Sequence, residues 1–299
     1  MENNKSFLDR LYGKTRHLIV RSGVVFNGIG FWITFTSVLL LCMTNTVICA
    51  VRDIGCDTAL SYSAPEAFLL YMGDVEGNIG AVFDFLYIFL LLLPFSLSYV
   101  NERKKNTMCI IQIRRGIRRY YYENLFLCFL GSFTAFFIPF VIQIGVNQLI
   151  FGGEFMDSFT YMWQGDISGD RYGEILYTRA IPFKWLFINH PQMYNLLFAF
   201  LFSCMCAVFA MLVYAISLYV KRYAIVLLLP LFLIVQLQGK IDAVSEELFG
   251  KYIEFETVHY FMVMGSRGQC IWYLAGFMIV VLAVTYYLTE KKCCMDQIN

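Results

Sequence analysis

Residues 101–124 read NERKKNTMCIIQIRRGIRRYYYEN, a short basic stretch between two long apolar runs. It carries seven Lys/Arg (Arg103, Lys104, Lys105, Arg114, Arg115, Arg118 and Arg119) against Glu102 and Glu123. On a helix at about 100° per residue, Tyr120, Ile113, Ile117, Ile110 and Tyr121 fall on one arc. Arg114, Arg118, Arg115 and Arg119 occupy the adjoining arc. Such a segment can lie at a membrane surface, its apolar edge among headgroups and its basic groups toward phosphate or a protein. Its charge also sets which way up the flanking runs cross a bilayer, so the reading of the whole chain starts from it.

Composition agrees with a membrane reading. Of 299 residues, 59% are hydrophobic and only 15% charged, against about 25% charged in an ordinary globular domain. The expected fold is an all-α polytopic membrane protein, residues 1–299 forming a single transmembrane domain with six transmembrane helices. The spans are expected at 25–51, 82–100, 125–151, 193–220, 223–238 and 271–288, most of them meeting the ~20 residues a bilayer needs. Residues 1–22 carry a periodic apolar set, Phe7, Leu8, Leu11, Tyr12, Leu18 and Ile19, and predict an N-terminal amphipathic interfacial helix. Residues 101–124 form a cytoplasmic loop in this scheme. Residues 239–270, mixed apolar and acidic, predict an outer interfacial or re-entrant segment.

Orientation follows from charge. Sixteen Lys/Arg lie in the N-terminal segment, the 101–124 loop, Lys221–Arg222 and the C-terminal tail, and seven lie in the alternate loops. The positive-inside rule then places both termini and the 101–124 loop in the cytoplasm. Small and weakly polar residues recur along two spans: Asn27, Gly30, Thr34, Ser37 and Thr44 in the first, Ser203, Cys206, Ala207, Ala210, Tyr214 and Ser217 in the fourth. Stripes of this kind let helix backbones approach closely in lipid, and close packing is the expectation for both. Gln143, Asn147 and Gln148 cluster near the outer end of the third span. Pro94, Pro139 and Pro230 interrupt apolar runs, where each deletes a backbone hydrogen bond. Asp84 sits so near a span end that it can reach water.

Several chemistries find no support in the residues. The chain lacks a phosphate-binding glycine loop, H-E-x-x-H and G-x-S-x-G. Ten cysteines contain no C-x-x-C pair, and the three histidines are scattered, which argues against a structural zinc site. Of the cysteines, only Cys56 and Cys270 are expected to meet an oxidising exterior. No catalytic residue, metal ligand or nucleic-acid site is expected. A membrane protein without an energy source of its own conducts passively, uses an ion gradient, or takes work from a partner. The basic loop, set against spans nearly free of charge, favours a partner.

The run from Leu93-Pro94-Phe95 to Tyr99-Val100-Asn101-Glu102-Arg103, followed by Ile113, Arg114-Arg115, Arg119-Tyr120-Tyr121 and Asn124, resembles permease subunits of type-2 ABC exporters. The stretch from Asn189-His190-Pro191 through Lys221-Arg222-Tyr223 to Leu229-Pro230 is similar to the fourth and fifth spans of the small permeases of Gram-positive bacteria. The resemblance implies a subunit with no cofactor of its own, working with a separate ABC ATPase that binds ATP and Mg, and with a second permease copy. It implies coupling to the ATPase through Glu102, Arg103, Ile110, Ile113, Arg114, Arg115, Ile117, Arg118 and Arg119. It also implies a substrate path lined by Thr34, Ser37, Phe95 and Gln236, in a bacterial cytoplasmic membrane. A stand-alone secondary transporter or channel, or a membrane sensor or immunity protein, are the other functions open to such a chain.

Overall fold

A computed structural model describes residues 25–54, 63–65, 67–70, 78–94, 116–152, 183–220 and 270–298. Among these residues every regular element is helical. The helices are α1 (Ile29–Asp53), α2 (Asn78–Leu90), α3 (Ile117–Ile150), α4 (Lys184–Asn189), α5 (Pro191–Ser217) and α6 (Cys270–Ile298). Of these, α1, α3, α5 and α6 are long and apolar enough to cross a membrane. Four apolar helices make this a multi-pass membrane protein. The expected interfacial helix at 1–22 and the expected span at 223–238 lie outside the described residues, as does most of the 239–270 segment.

Element ends depart from the sequence reading where local chemistry intervenes. The second apolar run is helical from Asn78 rather than Val82, and it stops at Leu90 rather than Val100. Leu91, Leu92 and Leu93 continue as turns, donating to the carbonyls of Tyr87, Phe89 and Leu90. Pro94 explains the stop, because a residue before proline is driven out of the helical region and proline cannot donate. The third helix begins at Ile117 instead of Leu125, so Ile117, Arg118 and Arg119 form its first turn. Gly116 precedes it at φ 80, a left-handed backbone that glycine adopts without cost, and this breaks the chain from what comes before. At 34 residues α3 is about 51 Å long. That exceeds a hydrocarbon core of about 30 Å, so α3 either tilts or extends beyond it. The last helix runs past Leu288 to Ile298 and carries Glu290, Lys292 and Asp296 with it.

The centre of the bundle is the antiparallel pair α3 and α5. Three contacts fix its register: the Cys128 thiol donates to the Ala210 carbonyl at 3.3 Å, Phe136 meets Phe202, and Gln148 meets Gln192. The small-residue stripe of α5 is buried throughout, and Ala210 on it receives the Cys128 thiol of α3. Around Phe202 the rings of Phe83, Tyr87, Phe136 and Phe140 pack with centroids 5.5–6.3 Å away. On α1 the stripe meets the turn after α2. The Thr34 hydroxyl donates to the Leu90 carbonyl at 3.0 Å, and Gly30 lies directly against the Leu93 carbonyl. Val25, Tyr120, Tyr121, Leu218 and Cys293 share one apolar cluster. The start of α1, the start of α3, the end of α5 and the end of α6 therefore lie at the same end of the bundle.

Candidate functional site

Polar chemistry collects at the two ends of the bundle. At the first end, the arc read from sequence is realised for the residues described. Tyr120 and Tyr121 are buried, Ile117 is half-buried, and Arg118 and Arg119 are exposed. The helix ties itself with an i,i+4 pair, Arg119 to Glu123 at 2.6 Å. Its other partners come from α6. Arg118 meets Glu290 at 2.9 Å, the Tyr122 hydroxyl donates to the second oxygen of Glu290 at 2.7 Å, and the Tyr121 hydroxyl donates to Asp296. Lys292 holds Asp296 from one turn earlier, at 2.8 Å. Tyr122 also packs on Tyr286, with centroids 5.9 Å apart. From the turn after α5, the Tyr219 hydroxyl donates to the Leu288 carbonyl at 2.7 Å. Three chain segments are thus clamped to one another directly beside the basic stretch. Glu102, Arg103, Ile110, Ile113, Arg114 and Arg115 lie outside the described residues.

The pair Arg118–Glu290 is partly solvated, so water screens much of its attraction. Glu290→Arg, which sets like charges together and removes the acceptor for Tyr122, should lower the thermal unfolding midpoint in detergent by about 2–4 °C. The swap Arg118→Glu with Glu290→Arg should recover at least half of that loss. Equal midpoints for the single and double variants would show that the pair contributes nothing.

At the other end, residues 63–65 and 67–70, between the first two expected spans, pack into the bundle. Ser63, Ala64, Ala67, Phe68, Leu69 and Leu70 are all buried. Phe68 reaches Phe140, at 5.8 Å between centroids. Irregular backbone is tolerated at such a depth only where protein groups satisfy it, and side-chain amides do so here. Asn45 donates to the Ala67 carbonyl at 2.9 Å and Asn195 to the Pro65 carbonyl at 2.9 Å. Gln143 accepts from the Leu69 N–H at 3.3 Å and donates to the carbonyls of Cys42 at 3.1 Å and Ala67 at 3.3 Å. Thr46 completes the layer, its hydroxyl 2.7 Å from the Asn147 side-chain amide oxygen and 3.1 Å from the Cys42 backbone carbonyl. One hydroxyl proton serves one of these two acceptors at a time. The Asn147 amide nitrogen, fully buried, has no partner among the described residues.

Of the four residues expected along a substrate path, Thr34 and Ser37 are described, one turn apart on α1. Thr34 is buried in the contact between α1 and the end of α2, with its hydroxyl engaged, and Ser37 is half-buried on the same helix. Phe95 and Gln236 lie outside the described residues. Sequence reading missed Glu290 and Asp296 as partners of the tyrosines, and it missed the inward packing of 63–65 and 67–70. The signal for that packing is the apolar run Ala67-Phe68-Leu69-Leu70 within a nominal loop. Among the described residues, no group of three or more His, Cys, Asp or Glu is placed to hold a metal ion.

Comparison with known proteins gives no match to this chain from any family model, curated protein or solved structure.

Proposed function

We propose that this chain is the membrane subunit of an exporter driven by a separate ABC ATPase, working beside a second permease copy. The observation that supports this most is the clamp at the start of α3. A force that reached the start of α3 would be shared with its neighbours. Arg118, Tyr121 and Tyr122 join the start of α3 to Glu290 and Asp296 of α6, and Tyr219 joins the turn after α5 to the same helix. A push there would move three helices as one body. In this reading the clamp end is cytoplasmic, as the excess of Lys/Arg on that side favours. The cargo is an amphipathic molecule such as an antimicrobial peptide, a drug or a lipid.

The competing function, a stand-alone secondary transporter or channel, draws on the irregular segment at 63–65 and 67–70, since unwound backbone carbonyls are what such proteins use to hold ions. Here the Pro65 and Ala67 carbonyls are already bonded to side-chain amides, which favours the exporter. The test is to purify the chain with its co-expressed ATPase and measure ATP hydrolysis in liposomes. Arg114→Glu with Arg115→Glu should lower permease-stimulated hydrolysis at least five-fold while membrane insertion stays intact. Full hydrolysis by that variant, or gradient-driven flux by the purified chain without nucleotide, would rule the coupling out.

A further inference from the structure

We infer that residues 63–65 and 67–70 are a seal set into the end of the bundle opposite the clamp, and that Gln143, Asn45 and Asn195 are the catches holding it shut. Depth is the first argument. Gln143 lies two turns before the end of α3, so the segment descends roughly 10 Å into the bundle. It reaches the level of the wholly buried Cys42 and Phe140. The second argument is how it is held. Among the described residues, Ala67 N–H donates to the Ser63 carbonyl and Phe68 N–H to the Pro65 carbonyl. Side-chain anchors reach the segment from three separate helices, α1 (Asn45), α3 (Gln143) and α5 (Asn195). A segment fixed by side chains from separate helices depends on their spacing, so separation of α1 from α3 or α5 would release it. The third argument lies in the layer beneath. Thr46 has two acceptors in reach for one proton, and the Asn147 amide nitrogen has none among the described residues. That layer has capacity to re-pair when the seal lifts. The seal closes this end whatever powers the protein.

Cys42 is a native reporter, because its side chain is buried under the segment and its carbonyl is bound to Gln143. Three proteins would be made, each keeping one cysteine: Cys42, Cys206 or Cys294. Whole and permeabilised cells would then be treated with a membrane-impermeant maleimide. Cys42 should label slowly in both, and the exposed Cys294 should label rapidly on one side of the membrane. Gln143→Leu should raise the Cys42 rate at least ten-fold, and so should Asn45→Ala combined with Asn195→Ala. Cys206, buried in the middle of α5, should remain slow in both variants. Unchanged Cys42 labelling in both variants overturns the seal. So does rapid labelling of Cys42 in the unsubstituted protein, or a parallel rise at Cys206, which would mean general loosening of the bundle.

Discussion

Gly30→Val should unfold the contact between α1 and α2 and lower the thermal midpoint in detergent by about 6–12 °C. A Cβ at this position would stand 1.9 Å from the Leu93 carbonyl oxygen and 2.8 Å from its carbon. Both obstacles are backbone, so no rotamer change relieves them. Ordinary overpacking costs about 1–3 kcal/mol, and this site should reach or pass the upper end. The adjacent Thr34–Leu90 hydrogen bond would be lost with the displacement. Gly276→Ala supplies the contrast. A Cβ there meets nothing within 4 Å, so the helix should gain about 0.5–1 kcal/mol from better propensity. If both substitutions moved the midpoint alike, the close approach at Leu93 would not be a determinant of stability.

Phe202→Ala should destabilise the bundle by about 2–4 kcal/mol. Its ring is fully buried and touches Phe83, Tyr87, Phe136 and Phe140, which belong to α2 and α3. In a water-soluble core the same truncation costs about 3–5 kcal/mol. Part of that is transfer from water, and in a bilayer this part shrinks because lipid tails are as apolar as the protein. What remains is the lost dispersion contact and the void. Phe200 tests the distinction on the same helix. It is 45% exposed and packs only on Phe133 and Phe137 among the described rings, so Phe200→Ala should cost less than about 1 kcal/mol. Reversible unfolding by denaturant in mixed micelles measures both, and a cost below about 1 kcal/mol at Phe202 would contradict the account.

Much of the bundle was legible because its information is local. The α5 stripe from Ser203 to Ser217 is spaced for one helix face, and that face packs on α3 at Ala210. Gly30 and Thr34 were read as packing positions, and they face Leu93 and Leu90. The arc holding Tyr120 and Tyr121 is the buried side of the first turns of α3. Pro94 signalled a disturbance whose outcome is the early end of α2. What could not be read depends on partners far along the chain. Glu290 and Asp296 look like members of a mixed charged tail until α6 is seen to continue as helix past Leu288. Gln143 and Asn147 were visible as a polar cluster, yet their partners, the backbone of 67–69 and Thr46, become evident only in three dimensions. For residues 63–65 and 67–70, loop-like flanks outweighed a four-residue apolar run too short to carry a period.

The clamp has a consequence for how the protein is made. Tyr122 and Glu290 are 168 positions apart in the chain, and Tyr121 and Asp296 are 175 apart. At about 5–20 residues per second, the ribosome delivers the acidic partners roughly 8–35 s after the tyrosines. Throughout that interval the nascent chain holds Arg118, Tyr121 and Tyr122 without their α6 carboxylates. The carboxylates of α6 therefore tie down a helix pair whose own register is already set by Cys128–Ala210 and Phe136–Phe202.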